Sequence, residues 1–279
     1  MSQSPEKPAT RVVLAGATGW AGSALARGVH DAHDMQIVGA VARSTAGRAL
    51  GDVLEIPSLD AQIYGSAHEA LATRPDVFVE YTKPDAALSN TLAALEHGAH
   101  VVVGTSGLDD DAYAQIHETA ESRGLGVLAC GNFSLTAVLL MRFSELAAEW
   151  IKSWEILDYA HSNKVDAPSG TARELAYRLS QIGTPDAGVP REEVRGEKAA
   201  RGGTLGGTPV HSIRLPQFVL SVESIFGAPG ESLTIRHDAG PSAVPYVAGA
   251  LLAIRRVSGL VGLHRGLDTV MSEPAGEVG

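Results

Sequence analysis

Short apolar runs, each closed by glycine or proline and followed by helical periodicity, recur through the first half of the chain. Residues 11–15 form a short, mostly apolar run, Gly16-Ala17-Thr18-Gly19-Trp20-Ala21-Gly22 follows it, and residues 23–30 have helical character. This predicts a strand, a turn and a helix. Residues 36–42 and 76–81 predict two further strands, the second followed by Thr82-Lys83-Pro84 and a helix through Leu95. Residues 100–103 predict a strand ending in Gly104-Thr105-Ser106-Gly107, residues 109–122 a helix, and residues 126–129 a strand. Strands and helices alternating at this spacing predict an α/β fold with a doubly wound parallel sheet.

The pattern changes after Asn132. Residues 136–150 predict a long helix, 153–161 a strand and 171–182 a helix, while 183–207, rich in Gly, Pro and mixed charges, reads as a long exposed loop. Three strand-like runs follow at 210–215, 219–226 and 231–238, the last two joined by Gly227-Ala228-Pro229-Gly230. Their short connections predict antiparallel pairing, and so a C-terminal α+β unit with a mixed sheet. Residues 245–257 predict a final apolar helix. The polar stretch 1–10 and the tail after Met271 predict no element. The division is 1–131, 132–240 and 241–279.

Composition narrows the function classes. Of 279 residues 44% are hydrophobic, enough for a proper core, and the formal charge of −10 argues against a nucleic-acid or membrane-surface partner. One cysteine, Cys130, cannot make an intrachain disulfide and suits a reducing cytoplasm. No apolar run of signal-peptide or membrane-span length follows the N-terminus. The ten histidines show no metal-ligand spacing, so no catalytic metal is predicted.

Gly16, Gly19 and Gly22 have the spacing G-x-x-G-x-x-G just after the first strand. Such glycines let a pyrophosphate approach the N-terminus of the next helix. The second strand ends Val41-Ala42-Arg43-Ser44-Thr45, without the acid that would hold free ribose hydroxyls. A guanidinium there pairs with a ribose 2′-phosphate, which favours NADPH over NADH.

The densest chemistry lies in His161-Ser162-Asn163-Lys164-Val165-Asp166-Ala167-Pro168-Ser169-Gly170-Thr171-Ala172. A histidine and a lysine precede a turn that opens a helix, an arrangement suited to a small molecule bearing carboxylates. Taken without its flanks, Pro168–Thr171 is an ordinary helix cap. The run from Lys164 to Ala172 resembles the signature of the 4-hydroxy-tetrahydrodipicolinate (dihydrodipicolinate) reductase family. Gly104-Thr105-Ser106-Gly107, Gly131-Asn132-Phe133-Ser134, and the runs 207–214 and 230–237 also resemble segments of that family.

The resemblance implies an N-terminal Rossmann domain, a C-terminal substrate domain, a last helix that returns to the first domain, and a homotetramer. It implies a cyclic imine substrate and a cofactor held by Gly16, Thr18, Gly19, Trp20, Ala21, Gly22, Arg43, Tyr81, Thr82, Gly104, Thr105, Ser106, Asn132 and Phe133. Lys164 and His161 are the implied catalytic residues, and Ser169, Gly170 and Thr171 the implied substrate ligands.

One departure stands out. The family's His-His-x-x-Lys is here Ala160-His161-Ser162-Asn163-Lys164, so its first histidine is an alanine. The family's Asp-Phe-Thr is here Glu80-Tyr81-Thr82. Three other readings remain open: a paralogous imine reductase with a different substrate, an NADPH-binding sensor without turnover, and a semialdehyde dehydrogenase with Cys130 as nucleophile.

Overall fold

Strand β1 (Thr10–Ala15) is enclosed from Val12 to Ala15, with no polar face. Strands β4 (Val77–Glu80), β5 (His100–Val103) and β6 (Gly126–Ala129) are nearly as uniformly buried. Strands apolar on both faces belong to a parallel sheet sandwiched between helices. A computed structural model, which describes residues 8–186 and 188–271, shows this arrangement. The stretch before Pro8 and the tail after Met271 lie outside the described residues.

The chain divides into two compact units, Met1–Ser134 with Ala243–Gly279, and Leu135–Ser242. The first unit also contains β2 (Met35–Val41), β3 (Ile63–Tyr64) and β12 (Gly262–Arg265), and its strand order is β12-β6-β5-β4-β1-β2-β3, every described pair parallel. The order reverses between β1 and β4, which is where such sheets bind dinucleotides. Helices α1 (Trp20–Asp31), α4 (Pro84–Glu96) and α5 (Asp110–Arg123) cover it. Phe78, Leu95 and Ile116 are fully buried in its core, each stabilising the fold by roughly 1.5–3 kcal/mol. The closing helix α8 (Val244–Arg256) lies on α1, where Val247 takes up the space a side chain at Gly28 would need. Its Arg255 grips Asp34 with Nε and Nη2 at 2.7 and 2.9 Å.

The second unit is a five-stranded mixed sheet, ordered β11-β10-β7-β9-β8. Its strands are β7 (Trp154–Ala160), β8 (Gly203–Leu205), β9 (Thr208–Arg214), β10 (Leu220–Ala228) and β11 (Glu231–Ala239). Burial alternates strictly along β7, and its inward residues Trp154 and Ile156 pack under α6 (Leu135–Trp150) and α7 (Gly170–Ile182).

Two expectations need correction. The runs at 210–215 and 219–226 do not pair with each other. Strand β7 lies between them, antiparallel to β10 and parallel to β9. The run 183–207 is not loop throughout, since β8 adds an edge strand to β9. The sequence reading also made no element of 46–75, which holds α2 (Leu50–Leu54), β3 and α3 (Ala67–Leu71), nor of β12. These pieces are too short to show a period.

Candidate active site

The glycine loop joins β1 to α1 in the first unit. Gly16 has φ 79°, and a Cβ there would run into the Tyr81 carbonyl, so only glycine fits. Gly19 is the N-cap of α1 and offers no side-chain cap, whereas α5 is capped by the Asp109 carboxylate on Ala112 N–H. The first amides of α1 are thus left for an anion. Thr18 and Ala21 are half-buried and Gly22 is buried, while Trp20 is 61% exposed with its ring 5.8 Å from that of Tyr246.

At the end of β2, Arg43 opens a short turn, Arg43–Thr45, and its exposed guanidinium has no partner among the described residues. The hydroxyl of Thr45 is buried without a hydrogen bond, and a second exposed guanidinium, Arg48, follows. The sequence reading missed Arg48, because its distance from the strand end concealed it. An uncapped helix start, an unpaired guanidinium and an orphaned hydroxyl suit the phosphates of a dinucleotide.

The loops after β4 and β5 meet over Glu80. This wholly buried carboxylate accepts Thr82 N–H at 2.7 Å, the Thr82 hydroxyl, the Thr105 hydroxyl at 3.3 Å and Asn90 Nδ2 at 2.8 Å. The Tyr81 ring fills the place where Gly104 would carry a side chain, and it lies 5.6 Å from the Phe133 ring. Its hydroxyl is buried without a partner, and burial lifts its pKa well above the ordinary tyrosine value. Asn132 Oδ1 accepts Ser134 N–H at 2.8 Å, and Ser106 is exposed. Cys130 is 4% exposed, and burial pushes its thiol far above the ordinary range. A thiol held so firmly protonated is a poor nucleophile.

The signature segment belongs to the second unit. Beneath it lies a network the sequence reading missed. Asp158, on the inward face of β7, is wholly buried, and its Oδ2 accepts Ser169 N–H at 2.9 Å, Ser212 Oγ at 3.0 Å and Arg214 Nη2 at 2.7 Å. Burial alone would raise the Asp158 carboxyl, but hydrogen bonds from Ser169 and Arg214 outweigh it and hold the group below the usual carboxylate value. Arg214 also donates to the Asp166 carbonyl at 2.9 Å, fixing the turn from the other side.

Ser169 is turned inward. It is 1% exposed and caps α7, its hydroxyl accepting Ala172 N–H at 3.3 Å. Gly170 N–H and the Thr171 amide and hydroxyl make no hydrogen bond among the described residues, so the helix start is open there. Lys164 Nζ lies 2.7 Å from Asp166 Oδ1, and that ammonium is the main reason the Asp166 carboxyl sits below its ordinary value. His161 Nδ1 lies 2.7 Å from Asn163 Oδ1, which leaves Nε2 without a partner among the described residues. Ala160 is fully enclosed on the face of β7 that carries Asp158. Among the described residues no cluster of three or more His, Cys, Asp or Glu side chains forms a metal site.

Two family models cover almost the whole chain: "Dihydrodipicolinate reductase, N-terminus" on residues 10–133, and "Dihydrodipicolinate reductase, C-terminus" on residues 136–269. The chain belongs to the dihydrodipicolinate reductase family. A 4-hydroxy-tetrahydrodipicolinate reductase of Moorella thermoacetica is 39% identical over 264 residues, 94% of this chain and 97% of that one. One from Desulfitobacterium hafniense is 37% identical over 263 residues, 94% and 98% of the two chains. The dipicolinate-bound dihydrodipicolinate reductase of Paenisporosarcina sp. TG-14 superposes with a TM-score of 0.85 at 30% identity, covering 94% of this chain and all 100% of that one. An amine dehydrogenase from Mycobacterium smegmatis, 18% identical with a TM-score of 0.62 over 91% of this chain and 94% of that one, shares the fold. As a dihydrodipicolinate reductase family member, the protein is a nicotinamide-dependent oxidoreductase.

Proposed function

We propose that the protein reduces 4-hydroxy-tetrahydrodipicolinate with NADPH as a cytoplasmic homotetramer. The carrying observation is the opening of α7. Gly170 and Thr171 present unengaged donors at a helix N-terminus, with the Lys164 ammonium on the same turn. That combination fits an imine bearing carboxylates, the substrate class its relatives' names specify.

The dinucleotide supplies a hydride to the imine carbon when bound. The protein holds it by the α1 N-terminus and by Arg43, whose lack of a carboxylate partner favours the 2′-phosphate form. Tyr81, Thr82, Gly104, Thr105, Ser106, Asn132 and Phe133 shape the loops around it. Gly170 and Thr171 orient one substrate carboxylate, and the free Nε2 of His161 takes another. Lys164 delivers the proton that the reduced nitrogen requires, the task left vacant where Ala160 replaces the family's histidine. Ser169 acts on the substrate through the turn it caps.

The tetramer reading has support in the second sheet. Its face opposite the helices carries Leu157, Tyr159, Ile213 and Ile225, all half-exposed. The lone cysteine accords with the cytoplasm.

The test is NADPH oxidation with freshly prepared 4-hydroxy-tetrahydrodipicolinate, beside NADH and a panel of other cyclic imines. Turnover should be highest with the first pair. Preference for another imine would overturn the substrate, and equal use of NADH would overturn the cofactor.

A further inference from the structure

Glu80 is 0% exposed, and each of its carboxylate oxygens receives an N–H, the Thr82 amide on Oε1 and the Asn90 side-chain amide on Oε2, with the Thr82 and Thr105 hydroxyls also on Oε1. An N–H on each oxygen suits the carboxylate form, which has no proton of its own to place. None of those donors carries a charge. A buried negative charge without a cation is costly, so its place in the fold calls for a purpose.

The strand order supplies one. The sheet reverses between β1 and β4, and Arg43 marks the β2 side as the end for the adenosine phosphate. The nicotinamide half then belongs on the β4 and β5 side, at the loops that Glu80 ties together. A threonine hydroxyl has one proton. That of Thr82 points at the Glu80 carboxylate and that of Thr105 at the same carboxylate or the Glu80 carbonyl, each 3.3 Å away, so these oxygens offer a ligand lone pairs. Lone pairs suit the carboxamide N–H groups and an electron-poor ring. Loss of the hydride with its electron pair turns the neutral dihydronicotinamide into a cation, the form a nearby buried anion favours.

We infer that Glu80 is a positioning residue that sets Thr82 and Thr105 as acceptors and biases the bound dinucleotide toward its oxidised form. The inference rests on the dinucleotide reading above. Calorimetric titration of the substrate-free protein with NADP+ and with NADPH tests it. Glu80→Gln should raise the Kd of NADP+ about tenfold and that of NADPH about threefold or less. Thr105→Val should shift the ratio in the same direction by a smaller factor, and it decides the matter if Glu80→Gln does not fold. Equal weakening of both forms assigns Glu80 a purely structural role and overturns the inference, as does an unchanged NADP+ affinity. Failure of the parent protein to bind either form would instead sink the dinucleotide reading itself, and this inference with it.

Discussion

Arg214 Nη2 sits 2.7 Å from Asp158 Oδ2, the same oxygen that receives the Ser169 amide. One ion pair therefore supports the floor of the signature turn from a strand 56 residues further along the chain. Arg214→Met leaves the carboxylate buried and unpaired, which should cost about 3–5 kcal/mol in urea unfolding. The remaining folded protein should show a raised substrate KM, because the turn loses its anchor at the Asp166 carbonyl. A loss below about 1 kcal/mol would contradict this account. The Asp158 carboxyl is lowered, so its contribution is present above the unfolded carboxylate value near 4 and disappears as pH falls through the folded one.

Lys164 and Thr171 should separate in kinetics. Lys164→Ala removes a proton donor and should lower kcat roughly 100-fold. Thr171→Val removes a carboxylate contact that changes little along the reaction, so KM should rise while kcat holds. Ser169→Ala should chiefly lower stability, by about 1 kcal/mol for a lost cap. Steady-state rates with denaturation curves read all three, and an unchanged kcat in Lys164→Ala would move the proton source elsewhere.

Arg43→Ala should weaken NADPH binding by about 1–3 kcal/mol and leave NADH nearly untouched. Fluorescence titration of both dinucleotides reads this. Equal losses for the two would show that the guanidinium does not meet the 2′-phosphate.

The β5–β6 side of the parallel sheet should loosen in acid. His100 Nδ1 accepts Gly126 N–H at the start of β6, 2.9 Å away. Burial holds this imidazole below the ordinary histidine value, more strongly than Asp76 raises it. A lowered histidine contributes stability above its unfolded value near 6.5, and that stability fades as pH falls toward the folded value. Buried His237 is lowered likewise. Urea midpoints should decline from about pH 7 to about pH 5, by up to about 1.4 kcal/mol per pH unit for each such group. His100→Asn keeps an acceptor that cannot titrate and should flatten the slope. Identical slopes in parent and variant would remove His100 as a cause.

Much of this was legible in the sequence, for local reasons. The glycine loop, the alternation along β7 and the Pro168–Thr171 cap are each written within a dozen residues, where spacing alone carries meaning. Contacts across sequence distance were not legible. Nothing near Asp158 names Arg214, and nothing near Glu80 names Thr105, since chain reversal brings them together. The insertion of β7 between β9 and β10 was missed for the same reason, because short connections suggest neighbours and only the sheet decides them. The inward turn of Ser169 was not legible either, because a serine in a turn shows its residue type and not its direction.

Tyr81 also constrains the history open to this sequence. Its carbonyl closes off Gly16 and its ring closes off Gly104, so one residue governs two loops. A lineage cannot gain bulk at position 104 unless it first sheds bulk at 81, and the intermediate with a small residue at both would carry a hole beside Phe133. The two positions drift together or stay fixed together.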